Sequence, residues 1–198
     1  MFGDSVDEDG FQRESTPMHP VSPYGHAKLF AYGLVKTYRK SYGLFGSNGI
    51  LFNHESPRRG SNFVTSKIVK QAVEIKRRKR SEIFLGNLDS LRDWGHSRDY
   101  VEAMQLIVRH EVADDFVIST GETRTVRQFC EAVFSRLELD FETHVRFDDR
   151  YTRPNELPYL RGDSSKARRD LGWQPKTTFD ELVDEMVESW LQRIGNVD

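Results

Sequence analysis

Gly43-Leu44-Phe45-Gly46-Ser47-Asn48-Gly49-Ile50-Leu51-Phe52-Asn53 is the stretch on which the reading of the fold turns. Its three glycines have the spacing of a phosphate-binding turn, in which a strand feeds a glycine-rich loop and then a helix whose N-terminus holds a pyrophosphate. Here the order of elements is reversed. Upstream, Ser22-Pro23 opens a helix, because serine caps well and proline suits the first helical position. Tyr24, Ala27, Ala31, Leu34, Val35 and Tyr38 then recur at helical spacing. Gly43 therefore stops a helix, where positive φ favours glycine. Gly49 to Asn53 starts a short strand of the buried type. The glycine triad reads as a helix stop and a strand start.

Outward from that stretch, helices alternate with short apolar strands. A helix is predicted over 62–77 with Phe63, Ile68, Ala72 and Ile75 on one side, a strand at Ile83–Leu85, and a helix from Asp99 to His110 with Tyr100, Met104, Ile107 and Val108. A strand follows at Phe116–Ile118. A helix capped by Thr125 turns Val126, Phe129, Val133, Phe134 and Leu137 inward, and 143–147 alternates like an edge strand. Residues 1–21 read as loop. After Arg153-Pro154 the pattern becomes a small helical tail, with Asp163 and Thr178 as N-caps and Leu182, Met186, Trp190 and Ile194 lining the last helix. The alternation predicts an α/β fold with a mainly parallel sheet. The boundary falls near residue 150, between 1–150 and a mainly helical 151–198.

Composition excludes several classes. At 198 residues, 37% hydrophobic and 30% charged, the chain supports a real core and is far from disordered compositions. A net charge of −2 gives no global attraction to nucleic acid or anionic membrane. Lys76-Arg77-Arg78-Lys79-Arg80 ends a predicted helix, where cations offset the dipole, and no aromatic platform accompanies it. It reads as a solvated helix end rather than a nucleic-acid patch. The lone Cys130 cannot form an internal disulfide, and no run of about 18 apolar residues or signal segment stands out. These features fit a cytoplasmic protein with no membrane partner. No ligand set for a metal is evident.

Tyr24-x-x-x-Lys28 puts a phenol and an ammonium one helical turn apart on one face. A cation within roughly 4–6 Å favours the phenolate, which can accept a proton from a substrate hydroxyl. Alone, the pair is more often an aromatic packed beside a solvated lysine. Its surroundings are more specific. Ser22-Pro23-Tyr24-Gly25-x-Ala27-Lys28 resembles the active-site helix of the extended short-chain dehydrogenases. The run from Asn48 through Asn53-His54-Glu55-Ser56-Pro57-Arg58-Arg59-Gly60 resembles the GDP-mannose 4,6-dehydratases in particular. So do Asn62-Phe63-Val64-Thr65, Leu85-Gly86-Asn87-Leu88-Asp89, Arg92-Asp93-Trp94-Gly95-His96, Arg153-Pro154, Gly162-Asp163 and Leu171-Gly172-Trp173-x-Pro175. The resemblance spans nearly the whole chain.

That resemblance implies the back half of a Rossmann-like parallel sheet with a small helical substrate-binding tail, NADP as resident cofactor and GDP-mannose as substrate. Tyr24 would take the proton of the sugar 4-hydroxyl, with Lys28 beside it and on the cofactor ribose. His54 and Arg59 match cofactor contacts. Asn53, Asn62, Val64 and Lys67 match the substrate side. Arg92 and Arg153 match a diphosphate clamp and Glu156 a ribose contact; guanidinium forks suit phosphate oxygens. The family carries a Ser or Thr and then a Glu just before Met-Phe-Gly, whereas Met1 begins this sequence. His26 also stands where a small apolar residue is usual, and the segment between Phe141 and Tyr151 is shorter than in relatives. The expectation is a truncated or split dehydratase, inactive alone. The alternative is a non-catalytic GDP-sugar-binding or regulatory module that joins a full-length relative's oligomer.

Overall fold

Ser22 sets the first helix in place. Its hydroxyl oxygen accepts the Gly25 N–H at 3.1 Å, and Gly43 ends the helix at φ +64°, which bounds α1 as Pro23–Tyr42. The computed structural model describes residues 1–152 and 155–195. Beyond α1, β1 (Asn48–Leu51) is followed across Phe52 by β2 (Asn53–Glu55), then α2 (Val64–Lys76), β3 (Ile83–Leu85), β4 (Leu91–Arg92) and β5 (Trp94–His96). Next come α3 (Ser97–Arg109), β6 (Asp115–Ile118), β7 (Arg124–Thr125), α4 (Val126–Arg136), a single turn α5 (Phe141–His144) and β8 (Val145–Phe147). The C-terminal part holds α6 (Ser165–Leu171) and α7 (Phe179–Gly195).

The strands pair in short ladders. β1 runs parallel to β6, β2 to β5 and β3 to β8, while β4 and β7 are antiparallel. The α/β class and the mainly parallel pairing agree with the sequence reading. The predicted single strand over 49–53 breaks at Phe52. Its N–H still donates to Ile118 O at 2.9 Å, so the chain passes from one parallel pair to the next without leaving the sheet direction.

Apolar periodicity explains most of the packing. In the largest cluster, Ile68, Val69, Ala72 and Val73 of α2 meet Phe129, Cys130, Val133 and Phe134 of α4 and Leu182, Val183, Met186 and Val187 of α7. A second cluster packs Tyr100, Ala103 and Ile107 of α3 and Trp173 against Phe116 and Ile118. A third places Phe2, Ile50, Phe52 and Val117 on the other face of the β1–β6 pair. Thr125 and Gln128 form a reciprocal capping box, and Thr178 with Glu181 forms its equivalent at α7.

Three readings need correction. The N-cap of α6 is Ser164, not Asp163; the Asp163 carboxylate instead accepts the Ser165 N–H at 2.8 Å. Phe63 lies just outside α2 and is exposed, while Met104 and Val108 point outward from α3, whose inner face is Tyr100, Ala103 and Ile107. On α1 only Gly25 is fully buried, and Tyr24, Phe30, Leu34 and Tyr38 are exposed. The β1–β6 pair is two strands wide, so only the Tyr32–Arg39 side of the helix reaches it. That side is held by charge. Asp115 accepts from Asn48 Nδ2 at 2.8 Å, Arg39 Nη2 at 3.0 Å and the Tyr32 hydroxyl at 3.1 Å. The 43-46-49 glycines behave as read: Gly43 is the left-handed stop of α1 and Gly49 lies in β1.

Candidate active site

Three groups of the sequence-selected residues come together locally. The first is on α1. The Lys28 ammonium stands 5.4 Å from the centroid of the Tyr24 ring, and Tyr24 is 73% exposed. Helical spacing alone brings them together, since residues four apart share a face. Neither side chain makes a hydrogen bond or ion pair among the described residues.

The second group follows β2. His54 Nδ1 donates to Phe52 O at 2.9 Å, which fixes the tautomer and leaves Nε2 as an acceptor; the ring stacks on Tyr100 at 5.0 Å. The next side chain, Glu55, turns into the interior, as strand alternation requires. Its Oε2 accepts the Thr65 hydroxyl at 2.7 Å and lies 3.0 Å from Arg59 Nε. Burial pushes the Glu55 carboxyl up from its ordinary range, against the opposing pull of the Thr65 hydrogen bond and the Arg59 charge. The Arg59 guanidinium lies 3.6 Å above the Phe63 ring. Arg59 is thus gripped from two sides, by a carboxylate and by an aromatic face. Asn53 sits in β2 opposite Trp94, and Asn62 is exposed in the turn before α2. Val64 opens α2 and packs, half-buried, against the main core. One turn further, Lys67 Nζ donates to Phe84 O at 2.8 Å and stands 3.6 Å over the Tyr151 ring. Partial burial, reinforced by the Arg80 charge, lowers its pKa, while Asp148 opposes the shift.

The third group joins residues distant in sequence. Arg92 Nη2 meets Glu156 Oε1 at 3.3 Å, with both side chains largely buried. Leu91 bonds on one side to Pro158 O and Leu160 N–H and on the other pairs with Thr125, which brings the 156–160 segment alongside β4. Arg153 lies outside the described residues.

The sequence reading missed the acids that build these groups. Glu55 and Asp93 each stand in a motif of the sequence, but neither is singled out by its spacing. Asp93 has no exposed surface, and its carboxylate accepts from Thr120 N at 2.9 Å, Thr120 Oγ1 at 2.7 Å, Gly121 N at 2.9 Å and Gly162 N at 3.3 Å. One signal was available for both: an acid among residues of a buried strand must find donors or it destabilises the fold. Among the described residues no three His, Cys, Asp or Glu side chains gather to hold a metal ion, and no helix is long and apolar enough to cross a membrane.

Residues 1–186 match the family model described as GDP-mannose 4,6 dehydratase. The chain is 49% identical over 181 residues to GDP-mannose 4,6 dehydratase 1 of Arabidopsis thaliana, covering 91% of this chain and 50% of that protein. To the GDP-mannose 4,6 dehydratase of Homo sapiens it is 47% identical over 195 residues, covering 90% and 52%. It therefore spans about half the length of the curated relatives it matches. Among solved structures, it is similar in fold to RMD from Pseudomonas aeruginosa complexed with NADPH, at TM-score 0.87 and 21% identity, covering 97% of this chain and 64% of that one. The dTDP-glucose 4,6-dehydratase of Bacillus anthracis in complex with NAD gives TM-score 0.85 at 21% identity, covering 97% and 59%.

Proposed function

The chain belongs to the GDP-mannose 4,6-dehydratase family, and from that premise we propose that it supplies the tyrosine–lysine pair and the sugar-nucleotide site of such a dehydratase. The glycine-rich, NADP-binding half would come from a further segment, in the same chain or another. The observation that carries this reading is the Lys28 ammonium above the exposed Tyr24 ring on a capped helix.

In this reading Tyr24 accepts the proton of the mannosyl 4-hydroxyl, and Lys28 supplies the positive charge beside the phenol. When bound, NADP supplies a hydride acceptor and later a hydride donor, so the elimination of water leaves no net redox change. Loss of the carbon-5 proton and the carbon-6 hydroxyl as water, with a hydride then added at carbon 6 and a proton at carbon 5, would give GDP-4-keto-6-deoxymannose. The residues present suit the reacting end of that cofactor: an exposed phenol, an ammonium and His54, whose Nε2 is left as an acceptor. The pyrophosphate end requires backbone N–H groups at a helix N-terminus after a strand. The 43-46-49 glycines do not offer that, since they join a helix to a strand. Arg59 would hold cofactor; Asn53, Asn62, Val64 and Lys67 would lie on the sugar side. Arg92, Arg153 and Glu156 would hold the diphosphate and ribose. Residues 1–150 then carry the chemistry and 151–198 complete the substrate side. A cytoplasmic location and association with a second subunit belong to the same proposal; the free thiol of Cys130 is consistent with a reducing compartment.

The test has two arms. Thermal unfolding with GDP-mannose is expected to shift the melt upward, by the equivalent of about 2.7 kcal/mol at a hundredfold excess over Kd. Co-expression with the N-terminal half of a full-length relative is expected to yield dehydratase activity. Tyr24→Phe should lower that activity about 10²–10⁴-fold without changing the melt, because the phenol is exposed. A melt indifferent to GDP-mannose sinks the reading. A chain that binds the sugar nucleotide but restores no activity with any front half is the non-catalytic module instead.

A further inference from the structure

The carboxylate of Asp93 occupies a position that sequence spacing gives no hint of. It follows Arg92 directly, between β4 and β5, and has no exposed surface. Each oxygen accepts two donors, and the donors come from two different segments. Thr120 and Gly121 lie in the loop that enters β7, and Gly162 ends the segment that runs beside β4. β4 is flanked by these same two segments, with β7 on one side and 158–160 on the other. Asp93 therefore ties the loop before β7 and the 158–162 segment to the end of β4, where Arg92 is its immediate neighbour.

The geometry on either side is close. A Cβ on Gly162 would meet Ser119 and come 2.8 Å from Phe52, so the segment that brings the Gly162 N–H to Asp93 packs this closely only because residue 162 has no side chain. From there the chain leads back through Leu160 and Pro158, both bonded to Leu91, to Glu156 against the Arg92 guanidinium at 3.3 Å. No Lys, Arg or His among the described residues pairs with Asp93. Burial raises its pKa while the four donors pull it down, so the hydrogen bonds alone keep the acid in place.

We infer that Asp93 is a positioning residue for the nucleoside diphosphate: by tying the loop before β7 and the 158–162 segment to β4, it holds Arg92 and Glu156 side by side where the diphosphate and its ribose would bind. This rests on the sugar-nucleotide reading above. Asp93 acts only through its neighbours and does not touch the ligand.

The experiment is calorimetric titration of the whole chain with GDP. Wild type reports on the sugar-nucleotide reading alone. Asp93→Asn keeps one acceptor oxygen but in either placement of its amide sets an NH2 against at least one backbone N–H, and is expected to weaken GDP binding by about tenfold or more. Thr120→Val removes a single donor with little change of shape, and roughly a threefold loss is expected. Val187→Ala, in the α2–α4–α7 core, lowers the melting temperature without reaching the site and should leave affinity unchanged. In a double-mutant cycle, Arg92→Gln should cost less affinity in the Asp93→Asn background than in wild type. Additive effects, or a loss in Asp93→Asn no larger than in Val187→Ala, overturn the inference and leave the reading standing. Absence of GDP binding by wild type overturns both. If Asp93→Asn does not fold, unchanged affinity in Thr120→Val is sufficient to overturn it.

Discussion

Removing the Asp115 carboxylate should release the helix that carries Tyr24 and Lys28. α1 buries only Gly25 completely, so hydrophobic burial contributes little to its attachment. Asp115 accepts three hydrogen bonds from Tyr32, Arg39 and Asn48, and Lys36 Nζ lies 3.7 Å away. Hydrogen bonds to a charged group contribute about 1.5–3 kcal/mol each, but the half-exposed Tyr32 and Lys36 regain water once released. Arg39 does so less readily, because its side chain is only 20% exposed. Burial also raises the Tyr32 pKa, which keeps the phenol a donor. Breaking a largely buried pair by deleting one partner costs about 3–5 kcal/mol. That range is the expected effect of Asp115→Ala, confined to α1 and the end of β1. Hydrogen exchange followed by mass spectrometry should show α1 amides exchanging roughly a hundredfold to a few thousandfold faster, with α7 amides unchanged. A loss below about 1 kcal/mol, or equal acceleration in α1 and α7, would refute the claim that this carboxylate anchors the helix.

Two further outcomes follow from buried contacts. The Glu55 carboxyl is shifted upward by burial, so in wild type its contribution to stability is greatest at low pH and is lost as pH rises from about 4.5 through the folded-state pKa. Urea unfolding across pH should show Glu55→Gln gaining on wild type over that window, and a constant difference would contradict it. Gly162→Ala forces a methyl into Ser119 and Phe52 and should destabilise by about 1–3 kcal/mol in a thermal melt, whereas Gly43→Asn, at a left-handed helix stop with open space, should cost far less.

Legibility of the sequence followed the range of the interaction. Ser22, Gly43, Thr125 and Thr178 act within one turn, and their sequence readings match the structure. The inner faces of α2, α4 and α7 were readable because a 3.6-residue period is local information. α1 had the same period, yet its apolar stripe lies largely exposed, since periodicity says that a face seeks a partner and not whether one is within reach. The Tyr24–Lys28 pair was visible for the same local reason. The Arg92–Glu156 contact spans 64 residues and was reachable only through family resemblance. Asp93 and Asp115 bond to groups far along the chain, where no spacing rule points, whereas Glu55 reaches only Thr65 and Arg59 nearby.

The way α7 completes the largest core has a consequence for the chain as it is made. The apolar side of α2, Ile68, Val69, Ala72 and Val73, is closed by Leu182, Val183, Met186 and Val187. Roughly a hundred residues separate the two helices, which at ribosomal speeds is about 5–20 seconds of synthesis. During that interval the nascent chain presents a sticky helix with its last covering element still unmade. Yield in the cell should therefore depend on chaperone capacity and elongation rate more than on the stability of the finished protein.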